Sequence, residues 1–400
     1  MTKNILALLC LLSGFSLYSQ DLKTGVLVVG STPSAMSAAI QSAKSGVKTL
    51  LIDVSKFDNI TLSPADRAIK AGFYLEFAKR VDSLQKSPLK DQQTLSPGFT
   101  ATVFKTFTDT LKNLTILPNA LIKKIERSGK GWEIDLVKRE IKADVIVDAT
   151  ADQSVTKIIL SKNSNPSPSA EKLSDKSYRT SVAVTTGKVS SDFLNIPLST
   201  LLVPGVENLV RPSGVGQMSL ITGQAAGATA AYCTFFKTTT KNLNVRLIQT
   251  ELLSYNSQLI RFNDILDTDS SMLAIQHIGL TGILRAKEEN GKFNFMPDSP
   301  VSTDELKQPL REYYSRSQIW FLDNKEEKLT LATALSLIKF LASRGEELNR
   351  EVQKSWKDTL RLKSNFDLKR VITRKELVIL LDTYLKPYTV AVDMEGNVKR

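Results

Sequence analysis

The chain predicts a mixed α/β fold: a parallel sheet with an attached β-meander, followed by an all-helical C-terminal region. Three observations carry this. A strand–turn–helix–strand pattern spans residues 25–53, a second buried-strand pattern spans 143–148, and capped helices without intervening strands fill the last third of the 400 residues.

The first pattern begins with Val26 to Val29, a short apolar run of the kind a parallel strand buried on both faces requires. Gly30 ends it. From Pro33 the sequence is helical and rich in small residues (Ala35, Met36, Ala38, Ala39, Ile40, Ala43), and Pro33 suits the first turn, where a missing N–H loses nothing. Gly46 closes the helix, and Val47 to Ile52 form a second strand. Asp53 follows at its end, near the spacing of about 20 residues expected between a dinucleotide-binding glycine turn and the carboxylate that takes the ribose. In that fingerprint the three glycine positions serve the turn, the approach of the pyrophosphate and the helix–strand packing. Here they hold Gly30, Thr32 and Ala35. Alanine is acceptable at the third. Thr32 occupies space the phosphates would use, although its hydroxyl and that of Ser31 are potential donors, beside the free N–H groups of the helix start.

The meander is read from Leu114 to Pro118, Ile122 to Arg127 and Gly131 to Val137. Ala143 to Asp148 then repeats the buried-strand pattern and runs into Ala149-Thr150-Ala151-Asp152. Further on, Thr200 to Leu209 precedes Thr222-Gly223-Gln224-Ala225-Ala226-Gly227, the start of a small-residue helix whose N-terminus would suit an electron-rich ligand.

In this order the segments G-x-T-P-x-A, D-A-T-x-D, V-P-x-x-x-N-L and T-G-Q-A-A-G resemble the FAD-dependent oxidoreductases of the glutathione-reductase-like superfamily. Within it the likeness is to an exported bacterial branch, some members of which carry the label xanthan lyase. The resemblance covers roughly residues 24 to 260 and implies a Rossmann-like FAD/NAD(P)-binding domain with FAD as cofactor. It implies that Gly30, Ser31, Thr32, Pro33, Ser34 and Ala35 cradle the pyrophosphate and that Asp53 takes the ribose hydroxyls. It further implies that Ile122 offers backbone contacts to the adenine, and that Asp148, Ala149, Thr150 and Asp152 line the crevice. Thr222, Gly223, Gln224, Ala225, Ala226 and Gly227 would lie near the flavin pyrimidine edge. In that branch G-G-T-P-A-G is common at the turn, which makes Thr32 a family-like residue. Two departures stand out: the glycine pair that usually follows the ribose carboxylate is absent from Val54 to Thr61, and D-A-T-G-D-G has become Asp148-Ala-Thr-Ala-Asp-Gln153. Relatives also insert a substrate domain where this chain has a polar linker, 161–181.

The resulting organisation is a signal peptide at 1–20, an FAD-binding domain at 21–262 and a helical domain at 263–400. Residues 1–20 carry one lysine, an apolar core and a small residue, Ser19, before Gln20, which predicts export to the periplasm or beyond. The apolar run is shorter than the ~20 residues a spanning helix needs, so no transmembrane segment is expected after cleavage. Cys233 is then the only cysteine, an intramolecular disulfide is impossible, and a buried small hydrophobe is expected there. A single histidine, His277, in a helical stretch that favours a structural role, argues against a Ser-His-Asp triad and against any multi-histidine zinc site. Chemistry therefore falls to a cofactor, and no catalytic side chain or metal ligand is nominated. The formal net charge of +12 is dispersed, without the patterned stripe that nucleic acid requires.

The C-terminal third suggests two degenerate repeats. Ser302/Glu305 and Thr373/Glu376 both form capping-box patterns that open helices, preceded by helices at Ser271–Leu280 and Leu331–Ala342. The unit resembles S-layer-homology modules, which implies contact with envelope polysaccharide. Two functions are consistent with these features. One is an exported FAD-dependent oxidoreductase taking hydride from a small or carbohydrate-derived substrate. The other is a non-catalytic FAD-fold protein of the cell envelope that has lost the substrate domain.

Overall fold

The computed structural model describes residues 22–53, 60–137, 139–161, 176–186, 193–212, 219–289 and 292–399. The expected signal peptide at 1–20, most of the expected linker and Val54 to Asn59 lie outside them. Strand β1 (Leu22–Val29) is central. It pairs in parallel with β2 (Thr49–Asp53) on one side and β8 (Glu140–Asp148) on the other, in registers Val28↔Leu51 and Val28↔Val147. Val26, Leu27 and Val28 are fully buried, as a strand covered on both faces demands. Helix α1 (Pro33–Lys44) connects β1 to β2.

Between β2 and β5 (Leu114–Pro118) the chain inserts a short antiparallel pair, β3 (Ile60–Thr61) and β4 (Thr94–Leu95), with helices α2 (Pro64–Ile69) and α3 (Phe73–Gln85) between the two strands and α4 (Pro97–Thr108) after them. The meander is displaced by one strand from the expectation. Leu114–Pro118 is the parallel edge strand beside β2, and the antiparallel part is β6 (Ile122–Ser128), β7 (Gly131–Leu136) and β8. The alternation in β7 (Trp132, Ile134 and Leu136 buried) puts one of its faces on an apolar cluster with Leu27, Ile125 and Ile146, while β6 and β8 pair its two edges.

Helix α5 (Ser154–Ser161) follows β8. Part of the expected linker is structured: Ser177–Thr180 forms a 3-10 turn with Arg179 fully buried, and Ser181 opens the hairpin β9 (Ser181–Thr186) and β10 (Phe193–Pro197). Burial of Arg179 against Glu312 and the Thr281 carbonyl holds that turn. Strands β11 (Leu202–Val203) and β12 (Val206–Val210) complete the sheet order β11-β12-β8-β1-β2-β5. Helix α6 (Leu220–Phe235) then packs along α1. Gly223 and Gly227 make this possible, because a Cβ on either would stand 2.2 Å from Ser34 O or 2.3 Å from Ala38 O. Helix α7 (Val245–Ser254) packs on α6, and its Glu251 accepts from Ser45 at the end of α1.

Helix α8 (Met272–Thr281) starts the C-terminal region, which is not all-helical. Strands β13 (Lys287–Glu289) and β14 (Lys292–Asn294) form a hairpin, fastened by the Asn263 side chain to Phe293 N–H. Helices α9 (Thr303–Tyr313), α10 (Ser317–Asp323), α11 (Leu331–Ala342), α12 (Glu347–Ser355) and α13 (Arg374–Leu380) follow. Both expected capping boxes form, and a third, Thr330/Thr333, opens α11. The extended residues before the three helices pair in a triangle: Pro300 with Thr373, Ser302 with Lys328, and Thr330 with Val371. Two repeats in the sequence thus become three equivalent turns. His277 accordingly has a structural setting, bonded to Asp382 at 2.8 Å and stacked on Tyr388 at 4.2 Å. A single apolar cluster runs from Val26 through α6 to Leu306, Trp320 and Val392, so the core continues across residue 262. Among the described residues no helix is long and apolar enough to cross a membrane.

Candidate functional site

The chain moves from β1 through α1 to β2 on one side of β1 and later returns to β8 on the other. The C-terminal ends of β1 and β8 therefore form a topological switch point, where open α/β sheets bind ligands. Gly30 and Ala149 meet there. Gly30 has φ +141°, and a Cβ on it would fall 2.3 Å from Ala149 O, so only glycine lets the two turns close on each other.

Of the residues expected to cradle a pyrophosphate, Ser31, Thr32 and Pro33 are half-buried at this edge, while Ser34 and Ala35 are buried. Thr32 is the N-cap of α1. Its Oγ1 accepts from Ala35 N–H at 3.1 Å and donates to Ala149 O at 2.9 Å, which ties the β1–α1 turn to β8. Asp53 ends β2 in register with Pro118, and Ile122 opens β6, half-buried.

Asp148 is fully buried, and both its carboxylate oxygens are engaged. Oδ1 accepts from Thr150 N–H and Oγ1, and Oδ2 from Thr156 N–H and Oγ1 at 2.7 and 2.6 Å. This carboxylate organises the β8–α5 turn. Ala149 and Thr150 are buried beneath the edge, and Asp152 is exposed above it.

Thr222, Gly223, Gln224, Ala225, Ala226 and Gly227 are all buried within the α1–α6 packing. Gln224 braces three elements: Oε1 accepts from Phe73 N–H (2.8 Å) and Ser257 Oγ (2.9 Å), and Nε2 donates to Gln41 Oε1 (2.9 Å). The structure thus brings Gly30–Ala35 together with Asp148–Thr150, and sets Thr222–Gly227 behind them as packing.

Two site residues were not anticipated. Asp66, fully buried on α2, accepts from Leu220 N–H at 2.9 Å and so supplies a carboxylate to the first turn of α6. Burial pushes its pKa up to about 6, against hydrogen bonds from Ser63, Leu220 and Ile221 that favour the charged form. The segment Ser63-Pro-Ala-Asp66 is itself a capping-box pattern, which was the available signal. Arg211, just after β12, donates to Gln153 Oε1 at 2.9 Å, while its buried Nε has no partner among the described residues; burial lowers its pKa.

The parallel sheet and this switch point define a Rossmann-like α/β dinucleotide-binding fold. Residues 25–158 match the family model described as FAD dependent oxidoreductase, and FAD is the cofactor that description names. Similar solved structures include p-nitrophenol 4-monooxygenase from Pseudomonas putida (15% identity, 35% of this chain and 43% of that one, TM-score 0.28). Others are a flavoprotein/dehydrogenase from Cytophaga hutchinsonii (18%, 37% and 43%, 0.28) and a thioredoxin reductase from Gloeobacter violaceus (13%, 33% and 37%, 0.23). The chain spans less than half the length of each. Among curated proteins none matches it in sequence.

Proposed function

We propose that this chain is an exported FAD-binding protein of oxidoreductase type, with the cofactor laid across the β1/β8 switch point. The observation that carries this is the half-buried Ser31-Thr32-Pro33 turn at the N-terminus of α1, facing the end of β8, inside the stretch that matches the family model. The ADP half of the cofactor fits. The α1 dipole would favour a pyrophosphate, Asp53 at the end of β2 would take the ribose hydroxyls, Ile122 at the start of β6 would face the adenine, and Arg211 would add a cation level with Asp148. When bound, FAD would supply hydride acceptance from a small or carbohydrate-derived substrate. This chain's own part is to bind and orient it.

At the flavin end the fit is poorer, which favours the second reading, a non-catalytic FAD-fold protein. In the first turn of α6, just before the Thr222–Gly227 stretch expected near the flavin pyrimidine edge, the Leu220 N–H already serves the Asp66 carboxylate. That negative charge opposes a reduced, anionic flavin.

The purified chain tests this. A yellow protein that releases FAD on denaturation, with turnover of an added dye by candidate sugars, supports the first reading. A yellow protein inert to every donor supports the second. A colourless protein that takes up no added FAD overturns flavin binding and the first reading with it, and leaves only a non-catalytic FAD-fold protein.

A further inference from the structure

A second cavity lies away from the crevice, between β10, the 260–262 segment and α8. Its volume is about 190 Å³, below the ~300 Å³ at which pockets begin to hold drug-sized ligands, so it suits a single ring. Its walls are aromatic: Tyr178, Phe193, Phe262 and Phe293. Gly279 shapes the floor. It sits inside α8, where glycine costs about 1 kcal/mol relative to alanine. A Cβ there would meet Ile260 Cδ1 at 2.2 Å and Phe262 Cζ at 3.1 Å, so the glycine lets the 260–262 segment lie against the helix and hold Phe262 in place.

Two guanidinium groups complete the lining. Arg261 lies over the Phe193 ring at 5.2 Å, is ion-paired with Asp267 and bonded to Gln258, and keeps a buried Nε–H without an acceptor among the described residues. Arg285 lies over the Tyr178 ring at 4.8 Å and donates to its hydroxyl at 2.8 Å. Arg285 is exposed and has no carboxylate partner among the described residues. Aromatic faces take the apolar face of a ring, and a planar guanidinium with unused donors takes a carboxylate.

We propose that this cavity binds a six-membered ring bearing one carboxylate, Arg285 taking the charge, the unused Nε–H of Arg261 adding a donor, and Phe193 and Phe293 taking the ring. Such a ring is either a uronic acid or an aromatic acid. The site shares no residue with the flavin crevice, and the proposal stands whether or not flavin binds.

Calorimetric titration of the full chain with glucuronate, benzoate, glucose and inorganic sulfate tests it. Either ring carboxylate should bind, with glucose weaker by about tenfold or more, since a charge-assisted hydrogen bond is lost. Tighter binding of glucuronate assigns a uronic acid, and of benzoate an aromatic acid. Arg285→Gln should weaken the tighter ligand about tenfold at unchanged melting temperature, and Phe193→Ala should weaken it without abolishing salt sensitivity. The proposal is overturned if neither acid binds, if sulfate binds as tightly, or if Arg285→Gln leaves the affinity unchanged.

Discussion

The Asp66 carboxylate accepts the backbone N–H of Leu220 at 2.9 Å across 154 residues of sequence, so an acid from α2 caps the first turn of α6. Its folded pKa of about 6 lies above the ordinary 3.8 because burial disfavours the charge. For an acid shifted this way the native state holds the proton more tightly. Its contribution is full below about pH 4 and is lost as pH rises toward 6, by about 3 kcal/mol. Asp66→Asn should remove that decline. Urea midpoints of the two proteins from pH 4 to 7 give the difference, and parallel curves would contradict the assignment.

Thr32→Gly should loosen the crevice. Losing the N-cap and the bond to Ala149 O costs about 1–2 kcal/mol, while the space above the turn opens toward a pyrophosphate. The expected outcome is a lower melting temperature together with tighter FAD binding, read by flavin fluorescence titration.

Gly227→Ala pits helix propensity against packing. Alanine gains about 1 kcal/mol in a helix, but its Cβ would lie 2.3 Å from a backbone oxygen of α1 that cannot step aside. Packing wins, with a net loss of about 1–3 kcal/mol. Gly98→Ala in α4 meets nothing within 4 Å and should instead stabilise by about 0.5–1 kcal/mol. Thermal unfolding of both variants separates the two effects.

Cys233 is 1% exposed, and burial pushes its thiol up to about 12. A disulfide reagent should leave it untouched in the native protein and modify it fully in denaturant. Rapid labelling under native conditions would mean that α6 opens locally.

The local elements were legible in sequence because their signals are local. The apolar run Val26–Val29, Pro33 at a helix start, and the boxes at Ser302 and Thr373 each act within a few residues. The meander was misassigned by one strand because edge pairing of β5 depends on β2, not on its own residues. The middle capping box at Thr330 escaped because its N3 residue is threonine rather than an acid.

The sequence by itself determined the βαβ unit, the glycine turn and the order of motifs, since hydrophobic period and glycine geometry are written residue by residue. Only the tertiary structure decided what those motifs touch. It turned T-G-Q-A-A-G into a helix-packing face, because Gly223 and Gly227 lie against α1. It made Asp148 a turn-organising carboxylate and brought Asp66 to the α6 terminus, contacts set by burial between segments far apart in the chain.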